Sequence, residues 1–339
     1  MSKRKLVVVG NGMTGVRVVE EILALDGGDQ FDICVFGDEP CPQYDRRMLP
    51  ELLAGTRQER ELTMHPFSWY TDWEISLHCG SRVTEIDRAS HIVYARNGRR
   101  ARYDMLVLAT GARSQLPPLA GIYGEMGKPR AGIFSFRTLE DCRHISYAAS
   151  SARTVAVLGG GPYALETACA LRRRGCAVHV VHRESQLMHP MLDAARGGFL
   201  HARLSELGVQ VHLGRTVTEV LGDQHVSGLA FSDGEPLDCD LIVIQEHFHP
   251  DIEIGIRAGL TIENAIVVDN HMRSVDDHDV YAVGQCAQHR GKVYEYVVQL
   301  WEQAAVCAQH ITGRGRQLGF CGSHSRTTLN IAGTAYSLA

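Results

Sequence analysis

Short apolar runs alternate along this chain with longer stretches of helical spacing, and the first pair sets the pattern. Leu6–Val9 is apolar on both faces, as a strand buried from both sides requires. From about Met13 to Leu25 apolar residues recur at helical spacing, and Asp26-Gly27-Gly28-Asp29 supplies the turn that ends the helix. Phe31–Phe36 reads as the next strand, with later strands at Ile92–Ala95 and Met105–Ala109. The same order then returns: a strand at Thr154–Leu158, a helix near Tyr163–Arg174 and a strand at Ala177–Val181. Further strands are predicted at Val209–Leu213, Leu241–Ile244 and Val280–Val283, and a helix from about Leu300 to Ile311 stops at Gly313. Strands that alternate with helices in this way predict an α/β fold with parallel, doubly wound sheets.

The pattern breaks between residues 113 and 131, where Pro117, Pro118, Gly121, Gly124, Gly127 and Pro129 cluster, and a domain crossover is expected there. A chain of 339 residues is long enough for two domains with separate cores. Residues 314–339 begin Arg-Gly-Arg and end in a small apolar, strand-like run, too short for a third domain. That tail reads either as a segment that completes itself against a partner or as the start of a further domain.

Each half opens with a glycine turn between strand and helix. In the first, Gly10-Asn11-Gly12-Met13-Thr14-Gly15, Gly10 allows the tight turn and Gly12 lets backbone approach a pyrophosphate. Gly15 lets helix and strand pack closely, and a phosphate would meet the free N–H groups of the helix start. The acid expected on the adenosine ribose about 20 residues on is present as Asp38 or Glu39, directly after the strand. In the second turn, Gly159-Gly160-Gly161-Pro162-Tyr163-Ala164, alanine stands at the third glycine position, which the motif allows. No acid ends the strand that follows. His182 and Arg183 come first, and Glu184 only after them. A carboxylate there would accept from a ribose 2′-OH, whereas a cation could meet the 2′-phosphate of NADP, so Arg183 leaves NADPH open beside the reading of a solvated arginine. Two nucleotide folds in series imply one resident cofactor and one that delivers reducing equivalents to it, the logic of a flavin reductase.

Composition narrows this further. Apolar residues make up 45% and charged residues 22%, with a net charge of −5, which describes an ordinary globular protein with no pull toward nucleic acid or anionic membrane. No apolar run approaches the ~20 residues of a membrane span, and the N-terminus passes straight into a strand. Ten cysteines lie scattered with no Cys-x-x-Cys, which argues against a disulfide scaffold, a zinc ribbon or a ferredoxin-type cluster and for reduced thiols in a cytoplasmic protein. His247 and His249 share one strand face, but no further ligand has usable spacing, so they read as a polar strand end in preference to a metal site.

With these residues in hand, the chain resembles the FAD- and NAD(P)-binding reductases built from two dinucleotide-binding domains. Within them it is most similar to the N-terminal flavin module of the NADH-dependent assimilatory nitrite reductase large subunit. The resemblance runs through GNGMTGVRVVEEI with FDICVFGDEP and YDRRML, LATGARSQLPPLAG, GGGPYALETA, GIRAGL, YAVGQCAQHRG, LWEQAAV and the closing TLNIAGTAYSLA. It implies a discontinuous FAD domain over residues 1–118 and 242–313, an inserted NAD(P) domain over 119–241 and a tail over 314–339. It assigns Gly10, Asn11, Gly12, Met13 and Gly15 to FAD, with Glu39 or Asp38 on the ribose and Arg46 near the pyrophosphate. Val83 would present its backbone to the adenine, Ala109-Thr110-Gly111 would pass close to the cofactor, and Gly284 with Gln285 would meet the ribityl chain. Gly159, Gly161, Ala164, His182 and Arg183 would hold NADH or NADPH, and Glu166 would be the catalytic residue, placed where nicotinamide meets flavin.

Three departures surround the flavin and nicotinamide ends. Gln285 stands where Asp or Glu is usual, Gln299 replaces a common proline, and Gln245-Glu246-His247-Phe248-His249-Pro250 replaces a small-residue–glycine turn, which puts the local backbone path in question. No cysteine pair occupies the position that disulfide reductases of this fold use. The resemblance therefore implies an NAD(P)H oxidoreductase that passes electrons from FAD to a nitrite or nitrate reductase module of iron–sulfur or haem type. The alternatives are a reductase for rubredoxin, ferredoxin or a similar carrier, and a flavin-binding subunit with a structural or regulatory role. An oligomer is compatible with all three.

Overall fold

The computed structural model describes residues 3–338 apart from Asp26, Glu125, Met126, His247, Gln317, His324 and Arg326. The chain divides into two compact units. The first comprises the residues up to Asp45, Thr63–Arg113 and Pro250–Ser325. The second comprises Arg46–Leu62, Ser114–His249 and the C-terminal hairpin.

In the first unit Arg4–Val9 is the central strand of a five-stranded parallel sheet, in the order Val280–Ala282, Met105–Leu108, Arg4–Val9, Phe31–Phe36, Ser76–His78. Leu6, Val7 and Val8 are wholly buried, which is why this strand reads as an unbroken apolar run. The helix Met13–Ala24 turns Val16, Val18, Val19 and Ile22 inward and packs on the helix Val297–Thr312, which contributes Leu300, Ala304, Cys307, Ala308 and Ile311. That second helix ends at Gly313 with φ 66°, the left-handed cap anticipated from its glycine. Two small three-stranded sheets complete the unit, one from Val83–Asp87, Ile92–Ala95 and Arg100–Arg102, the other from Ile266–Val268, Ala287–His289 and Lys292–Val293.

The second unit repeats the plan. Thr154–Leu158 is the central strand of a parallel sheet in the order Val209–Leu213, Ala177–His182, Thr154–Leu158, Leu241–Ile244, Ile133–Ser135. An antiparallel meander, Val217–Gly222, Val226–Phe231 and Leu237–Asp238, packs Val220, Val226 and Leu229 against Ala156, Leu158, Val181 and Ile242. Helices Leu139–Ala149, Pro162–Arg173 and Ala194–Glu206 belong to the same unit. The first and last of these carry side-chain caps: Thr138 Oγ1 accepts from the Asp141 N–H, and Asp193 accepts from that of Arg196.

Where the segmentation differs from the one expected, two of the differences have a plain packing reason. Residues 46–62, expected in the first domain, group with the second, because the helix Leu49–Leu53 lies against helices Leu139–Ala149 and Pro162–Arg173. Arg174 donates to the Leu53 carbonyl at 2.6 Å, and Arg143 holds Glu59 through two nitrogens. Residues 242–244, also placed with the first domain, instead form with Leu241 the fourth strand of the second sheet. The tail beyond residue 326 pairs Thr327–Ile331 with Thr334–Leu338 as an antiparallel hairpin grouped with the second unit.

The tightest approach in the first unit is at its glycine turn. A Cβ on Gly15 would lie 2.0 Å from the Gly10 carbonyl oxygen, and one on Gly10, whose φ is +126°, would lie 2.1 Å from that of Ala109. Both obstacles are backbone, so neither can swing aside. Gly15→Ala should therefore lower the stability of the first unit by about 2–3 kcal/mol. A denaturant midpoint equal to that of the parent chain would show that the strand–helix contact can relax after all.

Candidate functional site

In the first unit the helix Met13–Ala24 starts at Gly12 with no side chain capping it, and a Cβ on Gly12 would meet nothing within 4 Å. Its first-turn N–H groups thus face open space at the positive end of the helix dipole, at the carboxyl end of the central strand. Beside them, Asn11 Oδ1 accepts from the Tyr70 hydroxyl at 2.7 Å, while Asn11 Nδ2 is buried with no partner among the described residues. Met13, half-buried, opens the helix itself. The structure separates the two carboxylates that the sequence left as alternatives. Asp38 is exposed and pairs with Arg82 at 3.0 Å, whereas Glu39 is half-buried and accepts from the buried Tyr44 hydroxyl at 2.8 Å. Val83, buried, begins the adjoining strand Val83–Asp87.

Two further segments converge on this turn. The Thr110 hydroxyl donates to the Asp251 carbonyl at 2.6 Å, the Asp251 N–H donates to the Gly111 carbonyl at 2.8 Å, and Arg113 Nε reaches the Asp251 carboxylate at 2.5 Å. Ala109-Thr110-Gly111 is thereby pinned to a residue 140 or more positions away in sequence. Gly284 sits against Thr14 in the helix start, since a Cβ there would lie 3.2 Å from Thr14 Oγ1. Its N–H donates to Oε1 of the fully buried Gln303 at 2.8 Å. Gln285 follows in the same short turn, half-buried, and Gln299 accepts from the Tyr296 N–H at 3.4 Å in the first turn of Val297–Thr312. Around the residues expected from the sequence, the structure places Tyr44, Tyr70, Asp251 and Gln303 as hydrogen-bond partners. Arg46 groups with the second unit, in the turn Arg46–Met48.

In the second unit the helix Pro162–Arg173 begins at Gly161, again with no side-chain cap and with Pro162 in its first turn. A Cβ on Gly161 would likewise meet nothing within 4 Å. Ala164 is fully buried against Gly159, whose φ is +137°. His182 ends the strand Ala177–His182, packs on Gly160 and places Nδ1 3.4 Å from Glu246 Oε1. Arg183 is largely exposed and pairs with Glu184 at 3.4 Å. The bulky Gln245-Glu246 turn is accommodated by turning Gln245 inward, where Nε2 donates to the Phe136 carbonyl at 3.0 Å and to Thr167 Oγ1 at 3.2 Å. Glu246 then sits beside the glycine turn, with its Cγ 3.1 Å from where a Gly159 Cβ would be. No spacing rule announces that carboxylate.

Glu166 lies in the first half of the same helix, half-buried. Burial, reinforced by the Glu51 carboxylate, pushes its carboxyl up to about 7. Near it on the chain, Tyr163 makes an edge contact with Phe248, and Arg137 lies over the Phe248 ring at 5.1 Å. His249 is exposed on Phe248–Pro250, and His247 lies outside the described residues. Among the described residues no three histidine, cysteine or acidic side chains cluster as a metal site, no disulfide forms, and no helix is long and apolar enough to cross a membrane.

The raised Glu166 carboxyl makes a prediction with a definite sign. The native chain keeps this proton up to about pH 7, whereas the unfolded chain releases it near the ordinary value of 4.5. Stability from this group therefore falls as pH rises between those values and levels off above about 7. Relative to Glu166→Gln, the parent chain should lose ground in denaturant midpoint between pH 5 and pH 8. Parallel curves for the two proteins would exclude a buried, protonated Glu166.

Comparison with known proteins agrees with this geometry. The family model described as pyridine nucleotide-disulphide oxidoreductase matches residues 4–310. The nitrite reductase [NAD(P)H] of Bacillus subtilis is 35% identical over 333 residues, covering 98% of this chain and 40% of that protein. The assimilatory nitrate reductase electron transfer subunit of the same organism is 34% identical, covering 98% of this chain and 42% of its own length. The chain thus spans about two fifths of these relatives. Among solved structures, the ferredoxin reductase for the CYP199A2 system of Rhodopseudomonas palustris superposes with a TM-score of 0.87 at 26% identity, covering 97% of this chain and 80% of that one. Two parallel sheets, each with an open glycine turn at its central strand, and a family match across nearly the whole length lead to one conclusion: the chain belongs to the pyridine nucleotide-disulphide oxidoreductase family.

Proposed function

We propose that this chain is an FAD-dependent NAD(P)H oxidoreductase that serves as the electron-input module of a nitrite- or nitrate-reducing system. The observation that carries the proposal is the duplication of one device: a helix start left open at Gly12 in one unit and at Gly161 in the other. FAD suits the first unit, which offers open first-turn N–H groups, an unpartnered buried Asn11 amide and a half-buried Glu39. NADH or NADPH suits the second, which has no strand-end acid. FAD, when bound, accepts a hydride from a nicotinamide and can release electrons singly.

The protein's part is to bind, orient and hold protons. Gly12 and Gly161 bring backbone N–H groups to a pyrophosphate. Gln303 and Asp251 fix the backbone of Gly284 and of Thr110-Gly111 against movement. Glu166, whose carboxyl releases its proton near pH 7, offers the nicotinamide either a donor or an acceptor oxygen at Oε. No cysteine pair stands where disulfide reductases of this fold carry theirs, so electrons would leave from the flavin itself. We place the protein in the cytoplasm, in keeping with its free cysteines. The Bacillus subtilis relatives support that acceptor. The likeness to a ferredoxin reductase supports a second reading, reduction of a small iron–sulfur carrier.

The purified chain should carry flavin, and anaerobic mixing with NADH or NADPH in stopped flow should bleach its visible absorption. A flavin that neither nucleotide bleaches would refute the reductase and leave a flavin-binding structural or regulatory subunit. Turnover with a nitrite reductase module, but not with a ferredoxin or rubredoxin, separates the two acceptors.

A further inference from the structure

The second glycine turn carries a glycine that the fingerprint does not ask for. Gly160 occupies the free position between Gly159 and Gly161, and the structure shows what uses the space. A Cβ on Gly160 would lie 2.3, 2.5 and 2.6 Å from Cδ2, Cγ and Nε2 of His182. The imidazole is laid directly on the turn, its side chain only 13% exposed. It ends the strand that follows the fingerprint helix, the position from which a dinucleotide fold recognises the adenosine ribose.

We infer that His182, in place of Arg183, decides between NADH and NADPH, and that it does so through its protonation state. The inference rests on reading the second unit as the NAD(P)H site. Glu246 Oε1 lies 3.4 Å from His182 Nδ1, so the neutral ring keeps its proton on Nδ1 and its lone pair on Nε2. That lone pair can accept from a ribose 2′-OH and replaces the carboxylate missing from this strand. A second proton turns Nε2 into a donor and gives the ring a positive charge, which suits the 2′-phosphate of NADPH instead.

The charged neighbours leave this role to His182. On its own segment, Arg183 and Glu184 pair with each other, with side chains 69% and 50% exposed. From the adjoining strand, His212 is bonded to His179 at 2.9 Å. Arg215, whose N–H donates to the His182 carbonyl at 3.1 Å, sends its guanidinium over the Phe231 ring and to Asp233 at 3.7 Å. The glycine turn itself carries no charged side chain. Among the described residues, Glu246 is thus the charged group in contact with the imidazole.

The test uses the FAD-loaded chain and calorimetric titration with NAD+ and NADP+, which bind without reducing the flavin, at pH 6, 7 and 8. NADP+ affinity relative to NAD+ should rise about tenfold from pH 8 to pH 6, the size of one charge-assisted contact. The 2′-phosphate titrates in the same range, so variants isolate the protein's share. His182→Gln, which keeps an acceptor but does not titrate, should retain NAD+ binding within about threefold and abolish the rise. Arg183→Ala should leave the rise in place. A rise that survives in His182→Gln, with His182→Asn as a second check, overturns the inference, as does a selectivity that Arg183→Ala alone removes. If the parent chain binds neither nucleotide at any pH, the NAD(P)H assignment of the second unit fails and this inference falls with it.

Discussion

Both nucleotide turns depend on one packing constraint: a helix must start within contact distance of the strand it follows. At Gly15 the contact is with the Gly10 carbonyl, and at Ala164 it is with Gly159, whose added Cβ would be 3.0 Å from that of Ala164. At the N-cap itself stands a glycine, Gly12 or Gly161, with open space beside it and no capping side chain, so the first-turn N–H groups stay open. The close approach also occurs at the centre of each sheet, where successive strands go to opposite sides. Phe31–Phe36 and Met105–Leu108 flank Arg4–Val9, as Ala177–His182 and Leu241–Ile244 flank Thr154–Leu158. In doubly wound sheets that reversal is where ligands bind, beside the helix start.

Behind each turn the protein uses a buried amide instead of a buried charge. Gln303 holds the Gly284 N–H in the first unit, and Gln245 holds the Phe136 carbonyl and Thr167 in the second. Each leaves one atom without a partner among the described residues, Gln303 Nε2 and Gln245 Oε1, at a cost of order 1–3 kcal/mol. An ionised side chain in either place would cost more. The carboxylates sit further out: Glu39 beside Tyr44, and Glu246 beside His182. Two carboxyls go deeper: burial pushes Glu166 up to about 7, and it pushes Asp251, paired with Arg113, up to about 6.

The sequence alone determined the features that repeat at short range. Apolar runs marked the central strands within one or two residues, and the two glycine turns, the helix stop at Gly313 and the doubly wound class followed from spacing and backbone stereochemistry. Helices Leu139–Ala149 and Ala194–Glu206 went unread although the Thr138–Asp141 and Asp193 caps were there to find, because polar residues interrupt their apolar stripes. Tertiary structure decided what no local pattern encodes. It gave Asp38 and Glu39 different partners, Arg82 and Tyr44, moved residues 46–62 onto the second unit, and brought Glu246 to His182 across 64 positions of chain. The reason is physical: propensity and periodicity act between neighbours along the backbone, whereas a hydrogen bond or ion pair forms only where folding has brought its partners together.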